Sequence, residues 1–160
     1  MIFKDFFIIS LSLLGGYLTD SFLTTLINKP FFEISITYLI FFYWCYAAPQ
    51  QFSLIIVMVT GFLIDFIGAS FIGTHILPFL LFSLIIRTYA YRLRLFSHLQ
   101  IGLIFALLGS IGFTFKYLFL YPDGYFYSKL LFNFISYILL WPLVYSLCRH
   151  IRRNYIFDIK

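Results

Sequence analysis

Charged residues are so sparse in this chain, and so grouped, that long apolar runs separate them. Six runs stand out. They span about 6–27, 34–48, 52–68, 76–91, 101–121 and 130–148. Polar or turn-forming stretches end them: "NKPFFE", "APQQF", "GASFIGTH", "RLRLFSHLQ", "YPDGYFYSK" and "CRHIRRNYIFDIK". A helix needs about 20 apolar residues to cross a bilayer core. Composition points the same way: 62% of residues are hydrophobic and 11% charged, with a mean hydropathy of +0.98. Soluble domains sit near about 45–50% and about 25%. A water-facing core built from 160 residues could not bury that much apolar surface, so lipid is the expected solvent. The expectation is an all-α membrane protein, one transmembrane domain over residues 1–160, folded as a compact bundle of six helices. Five is the fallback, because the second, third and fourth runs are short and the second and third could form a re-entrant pair.

The first run continues past Gly15 and Gly16 without a small-residue cleavage site. It is read as a retained helix rather than a signal peptide. The two cysteines, Cys45 and Cys148, have no metal-like spacing and are read as apolar packing.

Lys and Arg set the orientation, because they accumulate on cytoplasmic loops. One set of ends carries Lys4, Arg87, Arg92, Arg94, Arg149, Arg152, Arg153 and Lys160; the other carries Lys29 and Lys129. Both termini and the 92–98 loop are therefore expected in the cytoplasm. The net charge of +5 is a topology signal, and no folded basic module for nucleic acid accompanies it. Tyr and Trp gather near run ends, Tyr43, Trp44, Tyr46, Trp141 and Tyr145 among them, and are read mostly as a headgroup-level belt.

Polar groups inside the runs carry the sharper information. At about 1.5 Å of rise per residue, Asp20 lies about 21 Å along the first run, Asp65 about 20 Å along the third and Lys116 about 23 Å along the fifth. Asn133 and His75 fall near the same depth, so five polar groups share one layer in the outer half of the bilayer. A charge in lipid costs roughly 2.5–3.5 kcal/mol on the insertion scale, so such groups face protein and pair. Lys116 is expected to pair with Asp65 or Asp20. A structural ion pair, a polar cavity meeting lipid headgroups or a partner helix, and a proton relay are the three readings of that layer. In "VTGFLIDFIGASFIGTHILPFL", Gly61, Asp65 and Gly68 share one helical face. The glycines let a neighbouring backbone approach and shield the acid. Gly73 suits a tight turn needing positive φ.

Gly102, Ala106, Gly109, Ser110 and Gly112 form a small-residue surface in the fifth run. Pro142 in "LLWPLVYSLCRHIRR" removes a backbone donor inside the sixth. The basic ends, Arg92, Arg94, Arg149, Arg152 and Arg153, serve topology and can hold anionic lipid or a cytoplasmic partner. No nucleophile–base arrangement, phosphate loop or zinc motif is present. The expectation is a protein without enzymatic activity, cofactor or metal.

Three segments in order resemble the MreD family of the bacterial rod-shape (elongasome) system. "YLIFFYWCYAAPQQF" resembles its helix with Tyr43 and Trp44 ending near Pro49. "GFLIDFIGASFIGTHIL" resembles its Gly–Asp–Gly motif, filled by Gly61, Asp65 and Gly73. "LLWPLVYSLCRHIRR" resembles its last helix, with Trp141, Pro142 and a basic end. The likeness covers roughly 38–153. Gly68 and Lys116 depart from it. The resemblance implies a cell-inner-membrane scaffold working with MreC, the MreB filament and the peptidoglycan glycosyltransferase and transpeptidase of elongation, among membrane lipids. It also implies a fold similar to the substrate-binding components of energy-coupling-factor transporters. That keeps a carrier of a lipid-linked or small solute as the alternative.

Overall fold

A computed structural model describes residues 2–27, 35–49, 53–68, 71–120 and 127–156. The side chains of 2–5, 27, 116, 118–120, 127–128 and 155–156 lie outside that description. Among the described residues every regular element is helical. The order is α1 (Ile2–Ile27), α2 (Ile36–Ala47), α3 (Leu54–Ile67), α4 (Ile76–Leu93), α5 (His98–Leu120) and α6 (Tyr127–Ile151), then a π-helical turn, Arg152–Ile156. The six expected runs fall on these six helices.

Four helices contain segments long and apolar enough to cross a membrane: α1, α4, α5 and α6. The other two are short. With 12 and 14 residues, α2 and α3 are about 18 and 21 Å long, against a hydrocarbon core of about 30 Å. For α2 the packing makes its shortness intelligible. It touches α1, α4, α5 and α6, and most of its residues, Thr37–Leu39 and Phe41–Cys45, are buried. A helix apolar all round belongs inside. Surrounded by protein, α2 need not match the bilayer. Helix α3 is peripheral, packed on α1 and α4, with Ile55, Met58, Phe62 and Phe66 facing outward.

The bundle is apolar on both sides of its helices. On α1, Ile9, Leu13 and Asp20 face in, while Phe7, Leu11, Leu18, Phe22 and Leu26 face out. Hydrophobicity therefore does not separate core from rim; the core holds polar groups as well, Ser10, Asp20, Thr60, Asp65, Ser83 and Asn133 among them. In lipid, packing and internal hydrogen bonds hold helices together, because apolar contact with the tails is equally good.

Aromatic rings supply that packing. Phe41 stacks on Phe79 at 4.2 Å and 8°, Phe42 on Phe105 at 5.3 Å, and Trp141 meets Phe105 edge-on at 4.9 Å. Each such pair contributes about 0.5–1.5 kcal/mol beyond its area. The small residues of α5 seat these rings rather than another backbone. A Cβ at Gly102 would meet the Trp141 ring at 2.7 Å, at Gly109 the Tyr137 ring at 2.8 Å, and at Gly112 the Tyr38 ring at 2.8 Å.

The aromatic belt needs correction at three positions. Tyr43, Trp44 and Trp141 are buried in the core. The Trp44 indole donates to Ser12 at 2.8 Å, and the Trp141 indole donates to the His98 carbonyl at 3.2 Å. The two indole N–H groups find partners inside the bundle, which removes the reason for Trp44 and Trp141 to sit at headgroup level. Pro49 lies in the turn after α2, and Pro142 lies inside α6, which runs on continuously.

Candidate functional site

Among the described helix starts, two lack a side-chain cap of their own. At the start of α2, the Ser35 side chain makes no capping bond; at the start of α4, neither does His75. Helix α3 differs, since Ser53 accepts from its Ile55 N–H. The first N–H groups of a helix have no intrahelical acceptor, and leaving them bare in a dry interior is costly. At α2 a carboxylate from the preceding helix supplies the acceptor; at α4 a carboxylate from the preceding helix holds the turn that leads in, and the Gly73 carbonyl accepts the Leu77 N–H.

Asp20, near the end of α1, accepts the Ile36 N–H at 2.6 Å and the Thr37 N–H at 2.9 Å. The Thr37 hydroxyl also donates to it, and Ser35 approaches at 3.4 Å. Asp65, near the end of α3, accepts the Gly73 N–H at 2.8 Å and the His75 N–H at 3.0 Å. The His75 imidazole Nδ1 lies 2.6 Å from the same carboxylate. The negative charge meets the positive end of the following helix dipole each time. Charge-assisted bonds of this kind contribute about 1.5–3 kcal/mol each. So in both α1–α2 and α3–α4 an acid of the first helix accepts backbone N–H groups where the second is entered, within the helix itself for Asp20 and in the turn before it for Asp65.

The glycines around Asp65 fit this geometry. Gly73 takes φ +110°, the region where a side chain is strained, and so presents its N–H to the acid. Gly61 lies against the backbone of Ile76 at the start of α4; a Cβ would come 3.0 Å from its Cα. At Gly68 a Cβ would collide with the Tyr17 hydroxyl. Tyr17 in turn meets the His75 ring edge-on at 6.2 Å. It thereby links the Asp20 and Asp65 clusters.

Between the clusters lies a cavity of about 260 Å³. Tyr17, Asp20, Thr37, Tyr38 and His75 form its inner wall, with hydroxyls of Ser21, Thr24, Thr25 and Ser35 and the ring of Phe113 around it. The Tyr38 hydroxyl is buried without a hydrogen-bond partner among the described residues. The cavity is polar, bordered by a carboxylate and by hydroxyls that donate and accept.

Of the predicted polar layer, the structure brings Asp20, Asp65 and His75 together. The Lys116 side chain lies outside the described residues. Asn133 is buried on α6 and does not line the cavity. Nearby, Lys129 donates to the Tyr117 hydroxyl at 2.8 Å. Sequence reasoning passed over Tyr17, Thr37 and Tyr38. The available signal was "ISITYLI", a Ser–Thr pair opening an apolar run, which marks a helix start in need of an acceptor.

The basic end of the bundle gathers Arg94, on the turn after α4, and Arg152, on the π-helical turn. Arg92 lies over Tyr89 at 5.8 Å and Arg149 over Tyr145 at 6.0 Å. Arg153 is exposed. Cys45 and Cys148 are buried free thiols.

Comparison with known proteins gives one result. The family model described as rod shape-determining protein MreD matches residues 1–151. No characterised protein and no solved structure matches the chain, so a likeness to energy-coupling-factor components rests on the resemblance alone. An all-helical bundle with several membrane-length apolar helices agrees with that family match, which extends over nearly the whole chain. The protein is a member of the MreD family, membrane proteins with a role in determining rod shape.

Proposed function

We propose that this chain is a multi-pass scaffold of the bacterial inner membrane, without enzymatic activity, that ties MreC and the MreB filament to the glycosyltransferase and transpeptidase of lateral-wall synthesis. The observation that carries the reading is the family match over residues 1–151. The geometry supports it through the use made of charge. Asp20 holds the start of α2 and Asp65 holds the turn leading into α4, which stiffens the bundle as a scaffold requires. In this reading all six helices cross, with α2 shielded by its neighbours, and both termini lie in the cytoplasm. The Arg-rich end then faces the anionic leaflet and the filament.

A second reading has its own support. The polar cavity of about 260 Å³ suits a carrier or binding component for a lipid-linked or small solute.

Pull-down of the full-length chain from membranes separates the two. The scaffold reading expects MreC to co-purify in stoichiometric amount, and cells lacking the chain to lose rod shape. Rod-shaped cells without the chain, together with one solute retained by the purified protein and lost in Thr37→Val, would instead favour the carrier.

A further inference from the structure

At the basic end, a second cavity of about 210 Å³ opens between the end of α2, the turn after α4 and the end of α6. Tyr43, Tyr46, Ala47, Arg94, Tyr145 and Arg152 line it. We infer that this cavity is a binding site for a phosphate-bearing anion, of the kind a phospholipid headgroup presents.

Two guanidinium groups border one small volume, and guanidinium geometry matches phosphate oxygens. The Arg152 Nη1 donates to the Ala47 carbonyl at 3.4 Å, and its guanidinium lies 5.9 Å above the Tyr43 ring. These contacts hold it at the wall of the cavity. Arg94 comes from another segment of the chain, so two charges converge rather than follow one another along a helix. Tyr43 is 1% exposed, lines the cavity, and its hydroxyl has no hydrogen-bond partner among the described residues. A buried hydroxyl donor left over beside two cations is what an anion would complete. Arg149, over the Tyr145 ring at 6.0 Å, adds positive potential at the rim. The placement also suits a headgroup, because the site lies at the end of the apolar bundle, where a membrane surface would meet it. Phosphate binding does not depend on the scaffold reading or on which way the bundle is oriented.

Native mass spectrometry of the full-length protein, stripped of lipid in neutral detergent, tests this. One arm titrates phosphatidylglycerol, a second phosphatidylcholine, a third glycerol phosphate. The expected result is saturable retention of phosphatidylglycerol, weakened about tenfold or more by Arg94→Gln, a loss appropriate to one charged hydrogen bond. Tyr43→Phe, which keeps the ring and removes only the hydroxyl, also weakens it. Arg87→Gln makes the same change of net charge away from the cavity and leaves retention as it was. Glycerol phosphate binding as tightly as the lipid would assign the site to a soluble phosphate; lipid retention without it would assign the headgroup. The inference is overturned if Arg94→Gln and Arg87→Gln act alike, which is surface charge only. It is also overturned if Tyr43→Phe, folded by circular dichroism, binds unchanged, or if phosphatidylcholine is retained equally.

Discussion

The Asp65 carboxylate receives the His75 backbone N–H at 3.0 Å and stands 2.6 Å from the His75 imidazole, ten residues further along the chain. One acid thus fixes both the main chain and the side chain at the point where α4 begins. Seventeen residues separate the corresponding contact of Asp20 with Thr37. The connections between the helices are equally long, 28–35 and 68–75, and the acids differ in how far they stand from their helix ends: Asp20 receives the first amides of α2, and Asp65 receives amides of the turn that leads into α4. A carboxylate inside an apolar bundle is thereby balanced by backbone donors rather than by a formal countercharge alone.

Removing that acceptor leaves buried N–H groups bare. Asp65→Ala is expected to destabilise the protein by about 3 kcal/mol, from the loss of several charged bonds. Asp65→Asn keeps an acceptor and is expected to lose about half as much. Thermal unfolding in detergent checks both, and equal losses in the two variants would argue against capping.

At the other helix pair, Asp20 and the Thr37 hydroxyl act on each other directly. Asp20→Ala and Thr37→Val, made singly and together, should show a coupling of about 1 kcal/mol or more. Strictly additive losses would mean that the carboxylate serves the backbone amides only.

Glycines are expected to sort by what surrounds them. Gly73→Ala meets an unfavourable φ and should cost about 1–3 kcal/mol. Gly112→Leu must displace the Tyr38 and Phe82 rings and should cost as much or more. Gly15→Ala has nothing within 4 Å of the added carbon and should stay within about 0.5 kcal/mol. Denaturation midpoints of the three variants give the ranking.

Orientation is open to labelling. Cys45 and Cys148 are buried, so background reaction with a membrane-impermeant thiol reagent should be low. Thr24→Cys at the cavity end should react in intact cells, and Arg94→Cys only after the membrane is opened. The reverse pattern would invert the bundle.

The helices were legible in the sequence because apolar runs broken by turns leave few alternatives, and all six lie where those runs do. That Asp20 and Asp65 turn inward was legible too, because a charge is costly against lipid, and both are buried. What receives them was not. Backbone amides leave no mark in the side-chain pattern, and the expected pairing of Lys116 falls on a side chain outside the described residues. The interior position of α2 was hidden for a related reason. A helix wrapped by protein and a helix wrapped by lipid are both apolar all round, and only tertiary packing tells Tyr43 and Trp44 from rings at the membrane surface.

Hydrogen exchange of the full-length protein in detergent, followed by mass spectrometry, tests the capping claim most directly. The account predicts that Asp65→Ala speeds exchange over residues 73–76 and leaves 36–38 protected, while Asp20→Ala does the opposite. Unchanged protection at both helix starts, or the same loss across the whole bundle from either variant, would contradict it.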